Sequence, residues 1–208
     1  MVKIIKHILY VVFITSIAYS HPTTFKDGIV LSNTYENNRN DFNAHYSLTH
    51  KSALGIHLAS IDSKNNEDHF LFVKTNYLFK RYNLENAQGN LYYTIGPGLA
   101  LDRGNSVPAL VSSLQADYET RTFYTQLNLE SIHSENSYDR GAYRIGFAPY
   151  KAAFDELQTF LIAEIAYANK MEDAVVGGPV VRLFTHWFLT EVGVRTNGDV
   201  MFTLMFHL

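Results

Sequence analysis

The side chains able to do chemistry fall into a few small groups. His45-Tyr46-Ser47 sets an imidazole two residues from a hydroxyl. In a strand, positions i and i+2 share a face, so this spacing suits a general base beside a serine nucleophile. His133-Ser134 lacks it, because adjacent strand residues point to opposite faces. Glu130, His133 and Glu135 make no protease arrangement. The next group is ionic: Lys74, Arg144, Arg182 and Arg195 against Asp117, Glu130, Glu164 and Glu191. Each lies where polar and apolar residues alternate, on the polar side. The last group is imidazole as metal ligand. His21, as a free N-terminus, would chelate copper through amine and ring given a second His, and His45 and His57 fall on adjacent strands. No spacing of ligands defines a metal site. The absence of Cys removes thiolate sites and disulfides. No metal or cofactor is expected.

These side chains need a frame, and period-two alternation supplies it. About twelve short segments alternate, divided by polar clusters. Residues 42–49 place Phe42, Ala44, Tyr46 and Leu48 on one face and Asn43, His45 and Ser47 on the other. Leu54, Ile56 and Leu58 oppose Ala53, His57 and Ala59; Leu71, Val73, Tyr77 and Phe79 oppose Lys74 and Asn76. The same split recurs through Leu91–Leu99, Leu110–Tyr118, Phe123–Leu129, Tyr143–Phe147, Leu161–Tyr167, Val181–Leu183 and Phe188–Val194. At the end, Val200, Phe202, Leu204, Phe206 and Leu208 share a face opposite Met201, Thr203, Met205 and His207. A chain ending inside a strand must pair it on both sides or leave an open edge. Pairing with the first strand closes a barrel. The spacing further predicts a loop over residues 35–41, a bulge at Pro97 and a two-residue turn at Thr120-Arg121 that sets Tyr118 opposite Phe123. Asn197–Asp199 is predicted to be a three-residue loop with positive φ at Gly198 or its neighbour.

The start of the chain reads as an export signal. Lys3 and Lys6 precede an apolar run from Ile8 to Ile17, and Ala18-Tyr19-Ser20 is a small-x-small cleavage site. Residues 1–20 are thus expected to be a signal peptide and 21–208 one barrel domain. The apolar run is too short for a transmembrane helix. A net charge of −3 gives no electrostatic case for nucleic acid.

Several features place the apolar face against lipid. Polar loops alternate with tighter turns, as in transmembrane barrels. Tyr77, Phe79, Tyr118, Phe123, Phe147, Phe184, Trp187 and Phe188 gather at one set of ends, and Tyr35, Tyr143 and Tyr167 at the other, as two aromatic girdles would. The polar face mixes Gly, Ala, Ser, Gln and Asn with few charges, as a crowded lumen would. The expected fold is all-β: a transmembrane antiparallel up-and-down β-barrel with both ends of its sheet at the periplasmic rim.

This pattern resembles that of Gram-negative outer-membrane β-barrel proteins over the whole segment after residue 20. The segments His21-Pro22, Lys26-Asp27-Gly28, Gly146-Phe147-Ala148-Pro149-Tyr150 and Phe154-Asp155-Glu156-Leu157 resemble uncharacterised proteobacterial barrel proteins, which implies no assigned activity. The final residue departs from the usual terminal aromatic, since Leu208 follows Phe206. The resemblance implies an outer-membrane location, lipid contact and delivery by the barrel-assembly machinery. It also gives His45 and Ser47 a model, because outer-membrane lipases and lipid A deacylases use a His-x-Ser pair. No lipase motif surrounds His45.

The eight inward charges balance in sign. Balanced charges in a narrow interior pair and plug it, whereas a selective pore shows one sign at a constriction. Glu130 and Arg144 lie on consecutive strands, and Glu164, Arg182 and Glu191 span the next three. The expected role is structural, or that of a narrow pore for small solutes. The alternatives are a membrane-embedded lipid hydrolase and a soluble periplasmic barrel with a ligand in its apolar interior.

Overall fold

Alternation along the chain resolves into twelve strands in a computed structural model that describes residues 23–64, 67–102, 105–153 and 156–208. The export signal, His21 and Phe154-Asp155 lie outside the described residues. The strands are β1 (Ile29–Glu36), β2 (Arg39–Ser47), β3 (Ser52–Asp62), β4 (Glu67–Asn83), β5 (Ala87–Asp102) and β6 (Asn105–Thr120). They continue as β7 (Phe123–His133), β8 (Tyr138–Phe147), β9 (Gln158–Ala168), β10 (Val175–Phe184), β11 (Phe188–Val194) and β12 (Val200–His207). Each pairs antiparallel with the next, and β12 returns to β1, so one sheet closes on itself. The seam runs from Val30 opposite His207 to Tyr35 opposite Phe202. Ile29 and Leu208 exchange both backbone hydrogen bonds at 2.8 Å. Closure leaves no edge strand, the arrangement a bilayer demands of a sheet.

The faces divide by polarity in the sense expected for lipid. Val73 is 51% exposed while Phe72 and Asn76 on the opposite face are 0% and 1% exposed. The outer wall is Leu, Ile, Val, Phe and Tyr on every strand, with Phe79, Tyr82, Phe147, Tyr150 and Trp187 at the terminal rim, where β1 begins and β12 ends. Strands β2, β3 and β7–β10 are 9 to 11 residues long, the span of a tilted strand through a hydrocarbon core.

Local details depart from the sequence reading. Residues 35–41 are not a loop: β1 runs to Glu36, β2 starts at Arg39, and these two pair across Asn37-Asn38. Strand and loop lengths show no division into long loops at one rim and tight turns at the other, because the longest connection, 148–157, lies at the terminal rim. Pro97 makes no bulge. The β4–β5 register is unbroken there and shifts between Leu78 and Lys80 instead. The β6–β7 turn is Arg121-Thr122, so Tyr118 faces Thr125 rather than Phe123. This slip is even, so every side chain keeps its face. The last hairpin has its Arg195 N–H on Asp199 O at 2.8 Å, leaving 196–198 at the tip with Gly198 at φ 87°. Phe184 leaves the outer girdle. It turns inward and stacks on Phe160 at 6.1 Å between centroids.

Candidate functional site

The lumen is built from the alternate residues that the outer wall does not use, and its middle is ionic. Arg39 Nε donates to Asp41 at 2.5 Å and its Nη2 to Glu130 at 2.6 Å. Asp41 also holds His57 Nε2 at 2.7 Å. A second, larger set joins five strands. Arg144 reaches Glu164 at 2.6 Å and Glu191 at 3.0 Å, and Arg182 Nε reaches Glu191 at 2.6 Å. Arg195 bridges Glu164 at 3.1 Å and Glu36 at 2.8 Å, and Arg140 closes on Glu36 at 2.5 Å. Arg182 also donates to the Tyr124 hydroxyl at 3.0 Å and lies 4.2 Å over its ring. Bidentate and shared guanidinium contacts of this kind fix orientation as well as charge.

Of the charges singled out from sequence, Arg144, Glu164, Arg182, Glu191 and Arg195 meet in one connected set. Glu130 joins Arg39, not Arg144 on the consecutive strand. Asp117 bonds to Asn90 at 2.7 Å and Gln115 at 3.2 Å. Lys74 is buried and has no carboxylate within 4.0 Å among the described residues. Sequence reasoning missed Glu36, Arg39, Asp41 and Arg140. Three of these sat in the supposed loop at 35–41. The signal was Asn-Asn between opposite charges, which is turn chemistry.

His45 and Ser47 both face inward and are buried, but no hydrolytic pair assembles. Ser47 Oγ accepts the Thr24 N–H at 3.1 Å, and His45 Nε2 has no hydrogen-bond partner. The carboxylate-held imidazole is His57, on Asp41.

An apolar cluster lies inside the barrel toward its far rim. Ile61, Phe70, Phe72, Val111, Ile132 and Tyr138 turn inward there and pack together with Met171. Met171 comes from the 169–174 connection, which folds over the mouth. Asn38 Nδ2 donates to its sulfur at 3.3 Å, and Lys64 N–H to Lys170 O at 3.3 Å. Lys170 holds φ at 63°, left-handed for a side chain that disfavours it. At the terminal rim the chain before β1 tucks under β2: Asp27 N–H donates to Ser47 O at 2.8 Å and Thr23 is buried. Between these ends a cavity of about 250 Å³ remains, lined by His45, His57, Lys74, Asn76, Glu130 and Arg144 among others. Its lining is polar and hydrogen-bonding.

No family model and no curated protein matches the chain. Among solved structures, a KdgM porin in complex with disordered oligogalacturonate aligns at a TM-score of 0.50 and 10% identity, over 86% of this chain and 97% of that one. OmpT, an outer-membrane protein of Vibrio cholerae folded in vitro, aligns at a TM-score of 0.30 and 10% identity, over 94% of this chain and all of that one (100%). At 10% identity the likeness to the porin is one of fold. Twelve antiparallel strands, closed without an edge, apolar outside and ionic within, make this chain an outer-membrane β-barrel by fold.

Proposed function

We propose that the chain is a structural outer-membrane barrel whose resting lumen is shut to bulk solutes and passes at most water and small ions. The observation that carries this reading is the tie of Arg39 to Glu130 across the interior, beneath the Met171 cap. A porin constriction keeps a free path between its charged side chains. Here the guanidinium and carboxylate groups occupy that path by bonding to each other. In this reading residues 1–20 are removed on export, the terminal rim faces the periplasm, and β12 serves the assembly machinery as its docking strand.

Conductance in a planar bilayer tests it. The refolded wild-type barrel should give little steady current, and Arg39→Ala with Glu130→Ala should raise it. A large, stable wild-type current would overturn the reading.

A further inference from the structure

The ion pairs of the lumen leave a remainder. Five arginines, Arg39, Arg140, Arg144, Arg182 and Arg195, contact five carboxylates, Glu36, Asp41, Glu130, Glu164 and Glu191. Lys74 is a further buried cation. It is 9% exposed, lines the central cavity and touches no carboxylate among the described residues. Asp117 and Glu119 lie further along β6, toward the terminal rim, and do not line that cavity. Glu130 and Asp41 act on it only from beyond contact distance, and a buried cation calls for a counter-charge at close range.

Unsatisfied polar atoms gather beside it. His45 Nε2, His57 Nδ1 and Asn43 Oδ1 are buried without hydrogen-bond partners, and all three residues line the same cavity. Buried polar atoms are nearly always bonded, so several orphans on one wall mark a place for something else. The backbone makes room for it. In register, His45 faces Gly55, and Gly55 faces Lys74. A Cβ at Gly55 would collide with the His45 ring, and one at Gly96 with the Lys74 stem. Gly55 thus separates His45 from Lys74 in register, with the imidazole over Gly55 and the lysine stem over Gly96. His57 gives its Nε2–H to the Asp41 carboxylate, so its Nδ1 and Asn43 Oδ1 are acceptors; the His45 Nε2–H and the ammonium suit an anion, and the ammonium rules against a metal ion on the same atoms.

We propose that Lys74 and His45 form a binding site for one small monovalent anion, a carboxylate or a halide, inside the barrel. The anion accepts from Lys74 Nζ and from the His45 Nε2–H, and it neutralises the ammonium. The inference does not rest on the closed-lumen reading, because equilibrium binding needs no current.

The test is isothermal titration of the refolded full chain in detergent micelles and sulfate buffer, with sodium acetate or sodium chloride as probe. Saturable one-site binding of either probe is expected, and the tighter of the two identifies the source. Lys74→Met should weaken that binding at least tenfold and Lys74→Arg should keep it. His45→Ala removes no protein hydrogen bond, so it serves as a second variant, with weaker binding expected; heat-modifiable gel mobility verifies its fold. Failure of both probes to bind the wild type would overturn the proposal. Equal affinity in wild type and His45→Ala, or in wild type and Lys74→Met, would overturn it too.

Discussion

Arg39 and Glu130 meet inside the barrel at 2.6 Å although 91 residues and several strands separate them. Both side chains are shielded, at 6% and 18% exposure. Removing the guanidinium alone strands the Glu130 carboxylate and leaves Asp41 with His57. Arg39→Leu should therefore lower stability by ~3–5 kcal/mol, the cost of breaking a buried pair from one side. Urea unfolding followed by heat-modifiable mobility reads the change. A loss under ~1 kcal/mol, the scale of exposed pairs, would mean that water already screens the lumen.

Glu191 holds two guanidiniums, Arg144 and Arg182. A double-mutant cycle of Arg182→Met with Glu191→Met should give a coupling of roughly 0.5–3 kcal/mol, as for residues in one network. Tyr124→Phe removes only the hydroxyl that accepts from Arg182, and should cost ~1.5–3 kcal/mol, the range for bonds to charged groups. Additivity in the cycle would count against a connected network.

The outer wall should respond by depth. Leu127, midway along β7 and 39% exposed, faces the hydrocarbon; Tyr35, near the far rim, is 50% exposed. Leu127→Arg should cost ~2–4 kcal/mol in liposomes and Tyr35→Arg about 0–1 kcal/mol. Similar values for the two would contradict the membrane position inferred from the apolar belt.

Ser47→Ala separates structure from chemistry. The Ser47 hydroxyl anchors the Thr24 backbone, so its loss should speed proteolysis within residues 23–28 and leave any lipid-ester hydrolysis unchanged. Hydrolysis by the wild type that vanishes in Ser47→Ala would revive the His45–Ser47 reading.

Gly178 packs where β10 runs past the end of β11, and a Cβ there would strike the Val194 carbonyl. Gly178→Ala should cost ~1–3 kcal/mol, the range for overpacking. Thermal melting by circular dichroism measures it.

The faces of the strands were legible because period two is a local property. It survives an even slip such as the one that moves Tyr118 from Phe123 to Thr125. Partner choice across the lumen was not legible. It depends on barrel curvature and stagger, which brought Arg39 to Glu130 and left Lys74 with no carboxylate in contact among the described residues. Glu36 and Arg39 were lost to a supposed loop, since polar strand ends and true loops share a composition. The Met171 cap left no sequence signal at all, since one Met in a polar connection is unremarkable. Phe184 could have been placed correctly: it shares parity with Arg182, and parity outranks aromatic preference for a girdle.

The contacts of Glu36 carry a consequence for assembly order. Its partners Arg140 and Arg195 lie 104 and 159 residues away in sequence. Arg195 follows β11, so it reaches Glu36 only once β12 has docked on β1. Contacts of such long range form last. Until then Glu36 lacks both guanidiniums and resists leaving water, while Arg144 with Glu164 and Arg182 with Glu191 already pair between neighbouring strands. The Glu36 contacts thus act as a checkpoint on completion, withholding their stabilisation from a sheet whose seam is still open.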